Sequence, residues 1–184
     1  MKVEAANIPG LLIIEPDVHG DERGFFMESY SRKRYVAAGI TGDFVQDNVS
    51  LSAHGILRGL HLQHPNDQGK LCFVLEGRVF DVAVDVRFGS PTFGRWEGIT
   101  LSSENRRQLY VPPGFAHGFC VLSEQALFCY KCTGFYDAPS EIGIAWNDPE
   151  IGIEWPIRSP RLSGKDQANP PLAQIPTDRL PRHE

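Results

Sequence analysis

Apolar and polar residues alternate with a period of two along much of the chain, most clearly over residues 78–86. Phe80, Val82, Val84 and Val86 fall on one side of that run, and Val79, Asp81, Ala83 and Asp85 on the other. A strand with this pattern packs its two faces against different surroundings. Residues 70–75 read as its hairpin partner across the turn signal Glu76-Gly77. Shorter runs predict strands over 11–15, 24–29, 44–50, 57–63, 98–101, 107–111, 117–121 and 126–133. The 18 glycines and 14 prolines fall largely between these runs, as turn residues should. Helix is scarce: 31–38 is the best candidate, with Ser31 placed to cap it and Gly39 to end it. Residues from about 156 onward are Pro-rich and weakly periodic, which predicts irregular structure with room for a short helix. So many short strands in one chain imply a sandwich, jelly roll or barrel, whose inward side chains converge on a cavity.

A length of 184 residues suits one domain spanning 1–184, and 41% hydrophobic with 22% charged residues is ordinary for a globular protein. The net charge of -5 argues against general affinity for nucleic acid or anionic membranes; a phosphate-bearing ligand needs a local basic site. The apolar run near the N-terminus is short and lacks a cleavage pattern, and no window approaches a membrane-spanning length, so the expected location is the cytoplasm. There the four cysteines are free thiols. Cys129 and Cys132 have the C-x-x-C spacing of zinc and redox sites, but residues three apart in a strand face opposite sides, so the sulfurs diverge.

Polar residues inside otherwise apolar strands are the candidates for chemistry. Arg58 and His61 lie in Gly55-Ile56-Leu57-Arg58-Gly59-Leu60-His61-Leu62-Gln63. Strict alternation sends them to opposite faces, so both reach one cavity only if the strand bulges near Gly59. A histidine between leucines is often a hydrogen-bonded core residue, but a buried arginine needs a partner. His117 follows the turn Pro112-Pro113-Gly114 and is equally suited to tying down that turn or to meeting a ligand. Tyr130 shares a strand face with Phe128 and Cys132, and Lys70 opens a strand after Asp67-Gln68-Gly69. Together, His61, Tyr130, Lys70 and a carboxylate would suit proton abstraction beside a carbonyl. A neutral imidazole is the base, an ammonium holds the enolate oxygen, and a phenol returns a proton from the far face.

Read in order, Gly59-Leu60-His61-Leu62-Gln63, Gln68-Gly69-Lys70-Leu71, the run 80–87, Gly89-Ser90-Pro91-Thr92-Phe93-Gly94, Pro113-Gly114-Phe115-Ala116-His117-Gly118-Phe119 and Leu162-Ser163-Gly164-Lys165-Asp166 resemble the dTDP-4-dehydrorhamnose 3,5-epimerase family. The resemblance implies a mainly β fold, a cupin-type jelly roll with a few short helices, working as a homodimer without metal or cofactor. The implied substrate is a dTDP-4-ketosugar, inverted at C3 and C5 on the way to dTDP-L-rhamnose. It implies His61 as base, Asp166 as its partner, Tyr130 as acid and Lys70 beside the C4 oxygen. It also implies Arg23, Glu28, Gln46, Asp47, Asn48, Arg58, His117, Glu141 and Lys165 as nucleotide and sugar contacts.

Three other readings stand beside it. Relatives that invert one carbon share most of these motifs. A metal-dependent cupin would want two histidines one residue apart; here Gln63 takes the second position, although His117 could serve as a third ligand. A non-catalytic sugar-nucleotide binder would need Arg58, Gln46 and Asn48 but no base, acid or enolate stabiliser.

Overall fold

The structure, a computed structural model, describes residues 1–183; Glu184, the last residue of the expected domain, lies outside the described residues. In chain order the main elements are β1 (Lys2–Ala5), β2 (Leu12–Glu15), β3 (Val18–Asp21), β4 (Gly24–Met27), α1 (Arg32–Ala37), β5 (Gln46–Ala53), β6 (Leu57–Gln63), β7 (Lys70–Glu76), β8 (Arg78–Asp85), β9 (Trp96–Ser102), β10 (Gln108–Val111), β11 (Phe115–Val121), β12 (Gln125–Cys132), β13 (Glu141–Gly143) and α2 (Gly164–Gln167). One six-stranded sheet runs β1-β2-β10-β7-β12-β5, a five-stranded sheet runs β13-β6-β11-β8-β9, and β3 with β4 forms a separate hairpin. The two larger sheets face each other across a core that includes Cys72, Val74, Leu109 and Phe128 from one side and Val79, Ala83, Leu101, Phe115 and Val121 from the other. This is the expected jelly roll. No helix among the described residues is long and apolar enough to cross a membrane.

The two faces of β8 separate as the alternation predicts. Val79 and Ala83 enter the core between the sheets, whereas Val82, Val84 and Val86 lie on the outer side. That outer side is covered by Ile142, Ile144, Ile151, Leu172, Ile175 and Leu180. The Pro-rich C-terminal segment is therefore irregular, as expected, yet it closes a second core. Each fully buried aliphatic side chain there contributes about 1.5–3 kcal/mol of transfer free energy.

The hairpin expected between 70–75 and 78–86 does not form. β7 pairs with β10 and β12, and β8 pairs with β11 and β9, so Gly77 carries the chain from one sheet to the other. Its φ is +79°, and a Cβ there would meet the Gln125 carbonyl at 2.1 Å. A sheet-to-sheet corner and a hairpin turn share one local signature; the partner is chosen by packing. The helix forms over Arg32–Ala37 and ends at Gly39 (φ +92°), but the Ser31 side chain makes no capping bond. α1 is held instead by Tyr35, which is buried and donates to Gln108 Oε1 at 2.5 Å. Three strands escaped the periodicity reading: β1 and β3 have few apolar positions, and β13 has three residues.

Asp85 ends β8 inside the protein with no exposure. Its carboxylate accepts from Arg87 N, Nε and Nη2, Ser90 Oγ and Thr92 Oγ1, at 2.6 to 3.0 Å. Burial alone would raise its pKa, but these donors outweigh burial and bring it down from 3.8 to about 2. The stabilisation is therefore complete above the unfolded-state pKa and is lost as pH falls through about 2. Asp85→Asn should cost about 2 kcal/mol at neutral pH. Urea titrations of both proteins from pH 7 downward should show the gap closing below pH 4. A gap that stays constant to low pH would show that packing, not charge, is lost.

Candidate active site

The site is built where β6 breaks register with β11. His61 lies opposite His117 and Arg58 opposite Phe119, so two residues of β6 face one of β11. The extra residue is accommodated by two glycines in contact. Gly59 has φ +116°, and a Cβ on it would meet the Gly118 Cα at 2.6 Å. A Cβ on Gly118 would in turn meet the Arg58 carbonyl at 2.8 Å. The bulge restores Arg58 and His61 to one cavity of about 620 Å³.

Asp166, Lys70 and Tyr130 line the same cavity. His61 Nε2 donates to Asp166 Oδ1 over 2.6 Å. That bond fixes the proton on Nε2 and leaves the Nδ1 lone pair free. Asp166 sits in α2, where Ser163 Oγ accepts from its backbone N–H at 3.1 Å. Burial pushes its carboxyl pKa up, but the His61 bond and charge, Ser163 and the Gly59 N–H outweigh burial and hold it below the usual range. Lys70 is buried and donates to the His61 carbonyl at 3.3 Å. Burial lowers its pKa, against the pull of Cys72, Cys132, Asp81 and Glu141. Tyr130 stands on β12, in the sheet facing the one that carries His61. Burial raises its phenol pKa to about 12, so it keeps its proton at neutral pH.

Of the expected contacts, Arg58, Asn48, His117 and Lys165 line this cavity. Gln46 and Glu141 line an adjoining space of about 330 Å³ that shares Asn48, His61, Lys70 and Tyr130 with it. Glu141 accepts from Lys165 Nζ at 2.6 Å and from the Tyr136 hydroxyl at 2.8 Å, which ties the β13 edge to α2. Three expected contacts are not brought to the cavity of their own chain. Arg23 is exposed on the β3–β4 hairpin, bonded to Asp21; Glu28 pairs with Arg34 at 3.3 Å; and Asp47 points off the outer face of β5, 2.9 Å from Lys131.

His117 lies within β11, not at its head as the turn suggested. Its Nε2 is 2.9 and 3.1 Å from the two Asp81 oxygens and 3.5 Å from Cys72 Sγ. Asp81, the buried carboxylate behind His117, is the residue that sequence reading missed; a carboxylate flanked by phenylalanine and valines in a core strand was its signal. Among the described residues, Cys72, Asp81 and His117 are the group tight enough to hold an ion. They are bonded to one another, with the Lys70 ammonium close by. The metal face sketched from His61 and Gln63 does not assemble, because the Gln63 amide donates to the Asn66 and Phe135 carbonyls. All four cysteines are free and buried, and Cys132 faces the cavity.

Known proteins sharpen this picture. The profile of the family described as dTDP-4-dehydrorhamnose 3,5-epimerase matches residues 5–174. The chain is 57% identical over 168 residues to the dTDP-4-dehydrorhamnose 3,5-epimerase of Shigella flexneri, covering 90% of this chain and 93% of that one. It is 41% identical over 169 residues to the dTDP-4-dehydrorhamnose 3-epimerase of Streptomyces niveus, covering 91% and 82%. The dTDP-6-deoxy-D-glucose-3,5-epimerase of Legionella pneumophila, solved in complex with dTDP-4-keto-L-rhamnose, superposes with a TM-score of 0.98 at 54% identity, covering 100% of this chain and 98% of that one.

A buried ammonium with one backbone acceptor costs stability while it stays charged. Lys70→Met should therefore raise the melting temperature at pH 7. The gain should shrink toward alkaline pH, where the wild-type lysine sheds its proton. A fall in melting temperature on calorimetry at pH 7 would show instead that the charge is held favourably.

Proposed function

The chain belongs to the dTDP-4-dehydrorhamnose 3,5-epimerase family, and on that footing we propose that its cavity inverts C3 and C5 of dTDP-4-dehydro-6-deoxy-D-glucose with its own side chains alone. The product is dTDP-4-dehydro-L-rhamnose, for dTDP-L-rhamnose biosynthesis. The observation that carries the mechanism is that His61 and Tyr130 enter one cavity from facing sheets.

The proton on a carbon next to a ketone is acidic only if the enolate is stabilised. His61 Nδ1 takes that proton while Asp166 steadies the imidazolium that forms. The electron pair moves onto the C4 oxygen, where the Lys70 ammonium offers N–H bonds not engaged by carboxylates. Burial weakens Lys70's hold on its proton, and the developing oxyanion strengthens it, so the bond is worth more in the transition state than in the ground state. Tyr130 then gives its proton to the opposite face of the carbon, which inverts it. His117, oriented by Asp81, lies on the cavity wall beside His61 and fits a sugar hydroxyl or the keto oxygen. Arg58 faces the nucleotide phosphates.

In heavy water, the wild-type enzyme should place deuterium at both C3 and C5, read by NMR. His61→Ala should abolish exchange at both carbons, a loss on the order of 10²–10⁴-fold, while nucleotide binding survives. Tyr130→Phe should depress inversion more than exchange. Exchange that persists without His61 would remove it as the base, and label at C3 alone would make this chain a single-carbon epimerase.

We also place the working unit as a homodimer. The outer face of the six-stranded sheet is covered by α1 only near Leu71, Tyr110 and Ile14. Beyond that, Val49 and Leu51 on β5 and Leu75 on β7, the strands that flank β12, are 66%, 59% and 51% exposed, and Phe25 and Phe26 stand out from the hairpin. Exposed apolar side chains of this kind fit burial against a second copy. The hairpin's Arg23 and the nearby Glu28 would then serve the partner's cavity, which explains why they miss their own. The whole chain acts as one catalytic unit, and four free thiols suit a cytoplasmic setting. Light scattering should give twice the chain mass for the wild type. Val49→Lys combined with Leu51→Lys should give monomers of low activity; a monomeric, fully active wild type would refute the dimer.

A further inference from the structure

Two arginines without a carboxylate partner line the cavity, and only one of them belongs to the motifs read from the sequence. Arg58 is the first; its Nε donates to Ser52 Oγ at 3.0 Å. Arg161 is the second, carried by the C-terminal segment. Among the described residues neither guanidinium has an acidic oxygen within 4.0 Å, although acidic residues outnumber basic ones in the chain, 23 to 18. Among the described residues, 8 of the 13 arginines lack such a partner, and Arg58 and Arg161 are the two of these that line this cavity.

The backbone sets Arg161 beside Arg58. Leu57 N donates to the Arg161 carbonyl at 2.9 Å, and Arg161 N donates to the Gly55 carbonyl at 2.7 Å. These bonds make a parallel bridge between Ile56 and Arg161. Bridged residues share a sheet face, and so do residues two apart in a strand, so Ile56, Arg58 and Arg161 point to one side. One N–H of the Arg161 guanidinium is anchored on the His54 carbonyl at 2.9 Å, which limits its freedom and leaves its remaining donors unused. Across the bulge, Arg58 and His61 pair with residues two apart on β11, a spacing of roughly 7 Å along the strand. One hexose ring and its glycosidic oxygen fill that interval between the base and the phosphates.

We propose that Arg161 is a second diphosphate-binding residue, which clamps the nucleotide's phosphates together with Arg58. The proposal rests on the nucleotide-sugar reading of the cavity. Two planar guanidiniums from different segments match a dianion better than one, and each N–H to a phosphate oxygen is charge-assisted. Arg161 and Asp166 belong to the same short segment. Ligand that holds Arg161 therefore also fixes the segment that carries the partner of the base.

The test is calorimetric titration of thymidine, dTMP and dTDP into wild type, Arg161→Gln, Arg58→Gln and Arg158→Gln. Arg158 is an exposed arginine of the same segment that does not line the cavity, and so controls for net charge. Arg161→Gln should weaken dTDP about tenfold, weaken dTMP less and leave thymidine unchanged. Arg158→Gln should change none of the three. Unaltered dTDP affinity in Arg161→Gln, with affinity lost in Arg58→Gln, would overturn the proposal and leave the nucleotide reading intact. Equal weakening of all three ligands, or a fall in kcat alone, would assign Arg161 a structural role and overturn it too. A wild type that binds dTDP no better than thymidine would overturn the nucleotide reading itself.

Discussion

The contact between Gly59 and Gly118 is the constraint on which the rest of the site depends. No Cβ fits on either residue, so β6 and β11 can approach closely only there. The approach forces a two-against-one bulge, which rotates the strand by one side-chain position. Without it, alternation would send Arg58 and His61 to opposite faces of the sheet. With it, the Arg58 guanidinium and the His61 imidazole share one space, as the proposed reaction needs. The same bulge aims the Gly59 N–H at Asp166, so one backbone irregularity sets both the base and the carboxylate behind it.

Around that point the fold separates rigid walls from adjustable ones. His61 and His117 stand on paired central strands of one sheet, and Lys70 and Tyr130 on paired central strands of the other. Ladders on both sides hold these four residues, so their separation follows from the packing of the core. Asp166, Lys165 and Arg161 come instead from a segment with little regular structure, held by a few backbone bonds, one ion pair and a buried apolar lining. In the proposed reaction, the chemistry that needs fixed distances across a sugar ring sits on the sheets, and recognition and orientation are left to the strap.

Much of this was legible in the residues alone. Period-two alternation located ten strands to within a few residues, because half-buried strands must write their two environments into successive positions. The bulge could be foreseen, since a glycine stood between two polar residues that had no reason to be buried apart. Pairing could not. Gly77 marks a reversal in either a hairpin or a corner between sheets, and only the long-range match of faces decides which. Asp81 was hidden by its neighbours' hydrophobicity. Arg161 lies in an irregular stretch where no period says which way a side chain turns. Arg23 and Glu28 matched a motif, yet the chain does not bring them to its own cavity, because a motif does not say how a distant hairpin packs.

The pair formed by His61 and Asp166 spans 105 residues of sequence. During translation His61, Lys70 and Tyr130 are all made before Asp166. Tyr130 precedes Asp166 by 36 residues, so at about 5–20 residues per second the delay is roughly 2–7 s. A nascent or truncated chain that stops short of Asp166 therefore carries the His61 imidazole without the carboxylate that orients it.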